Sequence, residues 1–389
     1  MEHLNVNKNL KLNYTHSNVN LMASILKHYG VKSKYKSLAN LDKILEKGYK
    51  NVCLLIFDGL GDTILTFHSE YGAFNESKID VIDAVFPPTT VAGITTFESG
   101  LAPIEHGWLG WRMYFEDYNK ILDVFTGRES YGGEFIDSEH QKVIRYEKIY
   151  SKIKKGTFDE VECHEIYPEK IKRNVDNNKL HQAKSIFDFF DKVSDIVNSN
   201  DKEKFIYGYW DQPDYSLHGY GCKSVLVNNI INDIETEFER CADVCEDTLF
   251  IITADHGLID ITETLYLNDY PKILDCLGRL PDIDSRCMNF KILKGKKSQF
   301  EKEFKKEFGD HHALIKVNKA LRNKLFGKYK AHRNCERVFG DYLAIARSNT
   351  MLSIRTEKSN FVMKAAHSGF TDEEIKVPLI VYENPKSEF

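Results

Sequence analysis

The feature that most constrains this chain is a set of short apolar runs, each closed by a residue that can bind or catalyse. NVCLLIFDG (51–59) ends in Asp58, KFIYGYW (204–210) leads into Asp214 and His218, DTLFIITADHG (247–257) ends in Asp255 and His256, and VPLIVY (377–382) follows His367. VIDAVF (81–86) runs into two prolines and two threonines. Runs of this length, apolar throughout rather than alternating, suit strands covered on both faces. Between them lie helix patterns at 19–30, 183–199 and 223–245, the last with Leu226, Ile230, Ile234 and Phe238 in steps of four. Apolar strands alternating with amphipathic helices predict an α/β sandwich on a mainly parallel sheet.

Between about 285 and 330 the texture changes. MNFKILKG, the charged SQFEKEFKKEFG and ALIKVNKALRNKLFG read as a compact β-α-β-α insertion. The charge run reads as a solvated helix face, with a substrate-lining role as the alternative. The predicted division is a core of 1–284 and 331–389 with a 285–330 lid or cap. Length and composition bound the rest. With 389 residues the chain can bury a large core, and a formal charge of −5 gives no broad attraction to nucleic acid. No run of about 20 apolar residues suits a membrane span. The N-terminal stretch lacks a secretory pattern, so a cytoplasmic location is expected. The eight cysteines include no CxxC pair and read as free thiols in a reducing compartment.

The polar residues at the strand ends share one expected position. In open α/β sheets, ligands collect outside the carboxyl ends of the strands. Taken singly, Asp58 before Gly59 is a turn residue, Asp255–His256 a polar strand exit, and Asp214/His218 a pair on one helical turn. Together they form a carboxylate and imidazole set of the kind that holds zinc. In FPPTTVAGITTFESG (86–100), either Thr89 or Thr90 can cap a helix, and a hydroxyl there also sits where a phosphate is favoured.

With these motifs quoted in order (FDGLGD, PPTTVAGITTFESGLAPIEHG, PDYSLH, TADHG and the final AAHSG), the chain resembles the alkaline phosphatase superfamily, specifically its type I phosphodiesterase/nucleotide pyrophosphatase branch. The resemblance spans residues 52 to 383. It implies an alkaline-phosphatase-like three-layer sandwich with a small α+β insertion, and a phospho-threonine mechanism on two divalent metal ions. Zinc is the expected metal, with manganese or iron as alternatives. It assigns Asp214, His218 and His367 to one ion, and Asp58, Asp255 and His256 to the other. The oxygen of Thr90, the nucleophile, is an additional ligand, and Thr89 becomes a turn residue. The implied partner is a small phosphoester or nucleotide, with no membrane and no stable nucleic-acid partner.

The pattern departs in one place. Nucleotide pyrophosphatase members usually carry an Asn three residues after the nucleophile, where this chain has Gly93, and no arginine lies in the segment. Arg112, Arg286 and Arg333 are candidates from elsewhere, each with a structural or surface reading beside it. His106 reads as a loop-ordering residue, His311 and His312 as surface residues. Trp108, Trp111 and Tyr114 read as core packing, or as a platform for a nucleobase. A phosphodiesterase is the leading reading. A phosphomonoesterase or phosphonate hydrolase is the enzymatic alternative, and a catalytically inactive metal-binding sensor the alternative of another class.

Overall fold

A computed structural model describes residues 10–12, 14–136, 142, 144–171, 179–356 and 362–386. Its centre is a seven-stranded sheet in the order Lys78–Asp83, Lys376–Asn384, Thr248–Thr253, Asn51–Phe57, Lys204–Trp210, Glu162–Pro168, Lys179–Ala183. Asn51–Phe57 runs parallel to both of its neighbours, with Val52 opposite Phe205 and Leu249. Only Lys376–Asn384 runs against the rest of this sheet. Every residue of Asn51–Phe57 and Thr248–Thr253 is buried, because helices cover both faces. The expected strand at 81–86 lies earlier, at Lys78–Asp83. Ala84 has already turned away, its N–H bonding to Ile375 O at 2.7 Å ahead of the prolines.

Helix Val225–Ala242 buries Val227, Ile231, Ile234 and Phe238, while Leu226 is 40% exposed. The four-residue step read from the sequence drifts by about 40° per step on a helix of 3.6 residues per turn. Carried back from Phe238, it therefore leaves the buried face, and the true stripe uses steps of four and three.

A second, antiparallel six-stranded sheet has the order His312–Lys316, Tyr342–Ala346, Cys287–Phe290, Asp282–Ile283, Arg112–Phe115, Lys120–Asp123. Within 285–330 the elements run strand Cys287–Phe290, helix Lys297–Phe308, strand His312–Lys316 and helix Val317–Arg322. The boundaries drawn at 285 and 330 cut this sheet, since four of its strands lie wholly outside them. Helix Lys297–Phe308 turns Phe300, Phe304 and Phe308 onto the sheet, where Phe300 and Phe304 meet Phe290, and leaves lysines and glutamates in water. His312 is buried among these rings, not on the surface as its polar neighbourhood suggests. All eight cysteines are free and buried. Among the described residues no helix is long and apolar enough to cross a membrane.

Candidate active site

The parallel strands deliver their polar termini to one end of the sheet. Asp58 follows Asn51–Phe57, and its amide bonds to Trp210 O while its carbonyl accepts from Asp214 N, both at 2.9 Å. The backbone itself therefore clips two of the carboxylates together. Gly59, at φ +75°, makes this approach possible, for a Cβ there would stand 2.8 Å from the Cβ of Asp214. Asp255 and His256 leave Thr248–Thr253, and His367 follows the short strand Ala365–Ala366.

Thr89 is the N-cap residue of helix Thr90–Ser99, but its hydroxyl makes no capping bond and donates instead to Asp284 Oδ2 at 2.9 Å. Thr90, the first helical residue, turns its Oγ1 to within 3.2 Å of His256 Nε2. Gly93 lies one turn on. A Cβ there would meet the Cβ of Asp255 at 2.7 Å, so the helix packs too tightly on Asp255 for any side chain at this position.

All seven expected residues converge. One ligand atom each from Asp58, Asp255 and His256 lie within 4.8 Å of one another, and the same holds for Asp214, His256 and His367. His218 joins through Asp214, Nε2 to Oδ2 at 3.3 Å. His256 stands between the two groups, 3.4 Å from Asp58 and stacked on His367 with ring centroids 3.9 Å apart. Two residues not singled out from sequence complete the surroundings. Tyr209 donates its hydroxyl to Asp58 Oδ2, and Asp284 holds Thr89. Tyr209 sits in a strand where the pattern reads only as core, and Asp284 lies far along the chain, so neither carried a local signal.

The hydrogen bonding shows what these groups are prepared for. His218, His256 and His367 each turn Nδ1 to a backbone carbonyl, of Ala365 at 2.7 Å, Gly257 at 3.3 Å and Pro88 at 3.1 Å. An Nδ1–H donated to a carbonyl leaves the Nε2 lone pair for a metal. Asp58 Oδ1, Asp214 Oδ1 and Asp255 Oδ2 are buried without a hydrogen-bond partner. Burial, then the charges of Asp255 and Asp214, push the Asp58 carboxyl well up. Burial, then Asp214, push Asp255 up to about 7. Burial also holds His256 down at about 4 and His367 at about 3, so both rings are neutral at pH 7. His218 moves to about 9, because the Asp214 carboxylate outweighs its burial. The neutral imidazoles of His256 and His367, facing crowded carboxylates with spare oxygens, fit divalent cations, whose binding would also displace the proton from His218.

The model of the type I phosphodiesterase / nucleotide pyrophosphatase family matches residues 52–347.

The chain belongs to this family.

As a type I phosphodiesterase / nucleotide pyrophosphatase family member it is a phosphoester hydrolase, and the family's enzymes depend on metal. None of the curated proteins matches it in sequence. Its fold is similar to that of murine ectonucleotide pyrophosphatase/phosphodiesterase 5, with TM-score 0.62 and 17% identity, covering 87% of this chain and 90% of that one. An inactive variant of the murine protein in complex with AMP gives TM-score 0.61 and 16% identity over the same shares. Phosphonoacetate hydrolase from Sinorhizobium meliloti 1021, in complex with phosphonoformate, gives 0.62 and 13%, again over 87% and 90%.

Three further expectations concern neighbouring residues. His106 is buried, accepting from Trp108 N at 3.1 Å and facing the Thr96 hydroxyl, so it orders the loop after the helix. Trp108 packs in the core, whereas Trp111 is partly exposed against Phe125. Arg286 is fully buried, with Nε and Nη2 on the two oxygens of Glu374 and Nη1 on Ser348 O and Thr350 O. Arg286 is a structural clamp on the segment carrying His367, since Glu374 also accepts from Gly369 N at 2.7 Å.

Proposed function

We propose that this family member is a two-metal phosphodiesterase of the nucleotide pyrophosphatase type, acting through a phospho-threonine on Thr90. The observation that carries the reading is the set of partnerless buried carboxylate oxygens and tethered imidazoles around the Thr90 hydroxyl. Asp58, Asp255 and His256 would hold one ion, and Asp214, His218 and His367 the other, with Thr90 Oγ1 as a further ligand. His256 also lies close to Asp214 and His367, so it borders both positions. Zinc suits this mixed oxygen and nitrogen set, with manganese or iron as alternatives. When bound, the ions supply Lewis acidity, lowering a hydroxyl's pKa and neutralising charge on a leaving oxygen.

The chain's own residues do the remainder. Helix Thr90–Ser99 fixes Thr90 Oγ1 in a buried position, 7% exposed, so the nucleophile needs no reorganisation. Its first-turn amides, at Val91 and Ala92, have no acceptor within the helix and can orient non-bridging phosphoryl oxygens. Thr90 Oγ1 forms a bond to phosphorus as the bond to the leaving oxygen breaks. Water then cleaves phospho-Thr90, which releases the phosphoryl product and restores the hydroxyl. The proposed substrates are nucleotides or other small phosphoesters, in line with the AMP and phosphonoformate complexes of the fold relatives. The 285–330 unit, with the strands paired to it, is proposed as the cap beside this site. Free buried cysteines support a reducing, cytoplasmic location.

The test is paired hydrolysis of a nitrophenyl phosphate monoester and a nitrophenyl nucleotide diester by zinc-reconstituted protein and its Thr90→Ala variant. The expected result is diester preference, with turnover falling by roughly 10³-fold or more in the variant. Monoester preference would move the enzyme to the phosphatase side, and full activity in Thr90→Ala would remove Thr90 as nucleophile.

A further inference from the structure

The carboxylates of the cluster repel a substrate anion, so a cation with free donors linked to the cluster is informative. Arg286 has its donors committed to Glu374 and two carbonyls, and Arg279 Nη2 bonds to Asp282 and Val338 O. Arg112 differs. Its Nε is buried with no hydrogen-bond partner, and its guanidinium lies over the ring of Tyr131 at 5.7 Å. The nearest carboxylate in ion-pair range, Asp123, is 4.0 Å away and already accepts from Ser130 Oγ at 2.7 Å.

Arg112 is tied to the site by a short chain of contacts. It pairs with Ile283 across the second sheet, the next residue is Asp284, and Asp284 accepts from Thr89, the neighbour of Thr90. Asp284 has Thr89 on one oxygen and Ser285 N on the other, at 2.8 Å. Asp284 also bears on Arg112 electrostatically, favouring its charged form. Ile283, a β-branched residue, is held at φ +75°, and Gly110 packs against its carbonyl. Such a backbone is sterically costly and persists only where its surroundings fix it. Arg112 makes no hydrogen bond to Thr90 or to the six candidate ligands among the described residues; its link to them runs through Ile283, Asp284 and Thr89.

We propose that Arg112, stacked on Tyr131, receives an anionic group that the substrate carries next to the phosphorus under attack. That group is either the adjoining phosphoryl of a pyrophosphate or a carboxylate. A planar guanidinium with open donors suits both, since each offers two oxygens to one fork. This rests on the reading of Thr90 as the attacking group. It makes Arg112 a specificity residue that separates doubly anionic substrates from simple diesters.

The experiment compares the metal-loaded full chain with Arg112→Gln and Arg112→Lys on three substrates: a nitrophenyl nucleotide diester, a nucleoside triphosphate and phosphonoacetate. Arg112→Gln should raise KM about 30-fold for whichever doubly anionic substrate is used, leave its kcat nearly unchanged, and move the diester by less than about threefold. Arg112→Lys should restore part of the loss, as a point charge without the fork. Which of the two substrates responds identifies phosphoryl or carboxylate as the group read. Calorimetric titration of Thr90→Ala protein, with and without Arg112→Gln, uses inorganic pyrophosphate, phosphonoacetate and inorganic phosphate as ligands. A loss confined to the first two supports the proposal. An equal loss for inorganic phosphate would place Arg112 on the attacked phosphorus, and no loss would make it only the counter-ion of Asp284; either result overturns it. If Thr90→Ala retains full turnover, the nucleophile assignment falls, while the titrations still decide the role of Arg112.

Discussion

Replacing Asp255 by Asn should stabilise the metal-free protein and abolish its response to metal. Asp255 Oδ1 accepts from Gly59 N at 3.2 Å and from His256 N at 3.0 Å, bonds that an amide oxygen would keep. Oδ2 is buried without a partner in a group that includes Asp58, so an amide there gains a donor where a charge had a repulsive neighbour. In the metal-free protein Asp255 holds its proton up to about pH 7, against 3.8 for an ordinary Asp. The folded chain therefore binds more protons than the unfolded one, and stability falls as pH rises from about 4 through 7. The cost at pH 7.5 is on the order of 4 kcal/mol. With an unfolding entropy of roughly 0.8 kcal/mol per kelvin for 389 residues, Asp255→Asn should raise the metal-free Tm by about 5 °C at that pH. Bound metal acts the other way. At a thousandfold excess over Kd one site contributes about 4 kcal/mol, or about 5 °C, to the native protein, and the variant should lose most of that gain. Differential scanning calorimetry at pH 5 and 7.5, with chelator and with added zinc, reads all of these terms. A metal-free variant less stable than the native chain at pH 7.5, or one that gains as much from zinc, would refute the account of the cluster as a repulsive preformed cation site.

Other outcomes follow from single contacts. Gly93→Ala forces a Cβ against Asp255 and should cost about 1–3 kcal/mol together with much of the metal affinity, checked by thermal melts and metal titration. Glu374→Gln breaks the fully buried pair with Arg286 and should lower stability by about 3–5 kcal/mol, measured by urea unfolding. Burial alone would raise Glu374, but Arg286 and the amides of Gly369 and Thr371 hold it below the usual carboxylate range. The pair's contribution is thus complete above the ordinary Glu value and lost as pH falls through the lower folded one, a loss that Glu374→Gln should remove from an acid titration. The eight cysteines should resist a thiol reagent in the native chain and all react after denaturation.

The sequence by itself determined the central strands and the polar residues that follow them. Apolar runs at 51–57, 204–210 and 248–253 can be buried only as central strands, and Asp58, Asp214, Asp255 and His256 follow them directly, so they share one end of the sheet once the strands are parallel. That information is local and periodic, which is why it could be read from the residues. What the fold alone decided depends on contacts between segments far apart in the chain. Either threonine could have been the cap. It is the bond from Thr89 to Asp284, 195 residues away, that leaves Thr90 facing His256. The strands and helices of 285–330 were visible as a change of texture, but the sheet they join also recruits the hairpin at 112–123, a pairing that no local pattern encodes. Arg286 and Arg112 look alike as isolated basic residues. Only the tertiary structure clamps Arg286 onto both oxygens of Glu374 and leaves the buried Nε of Arg112 without a hydrogen-bond partner, because a hydrogen bond is satisfied by geometry and not by residue type.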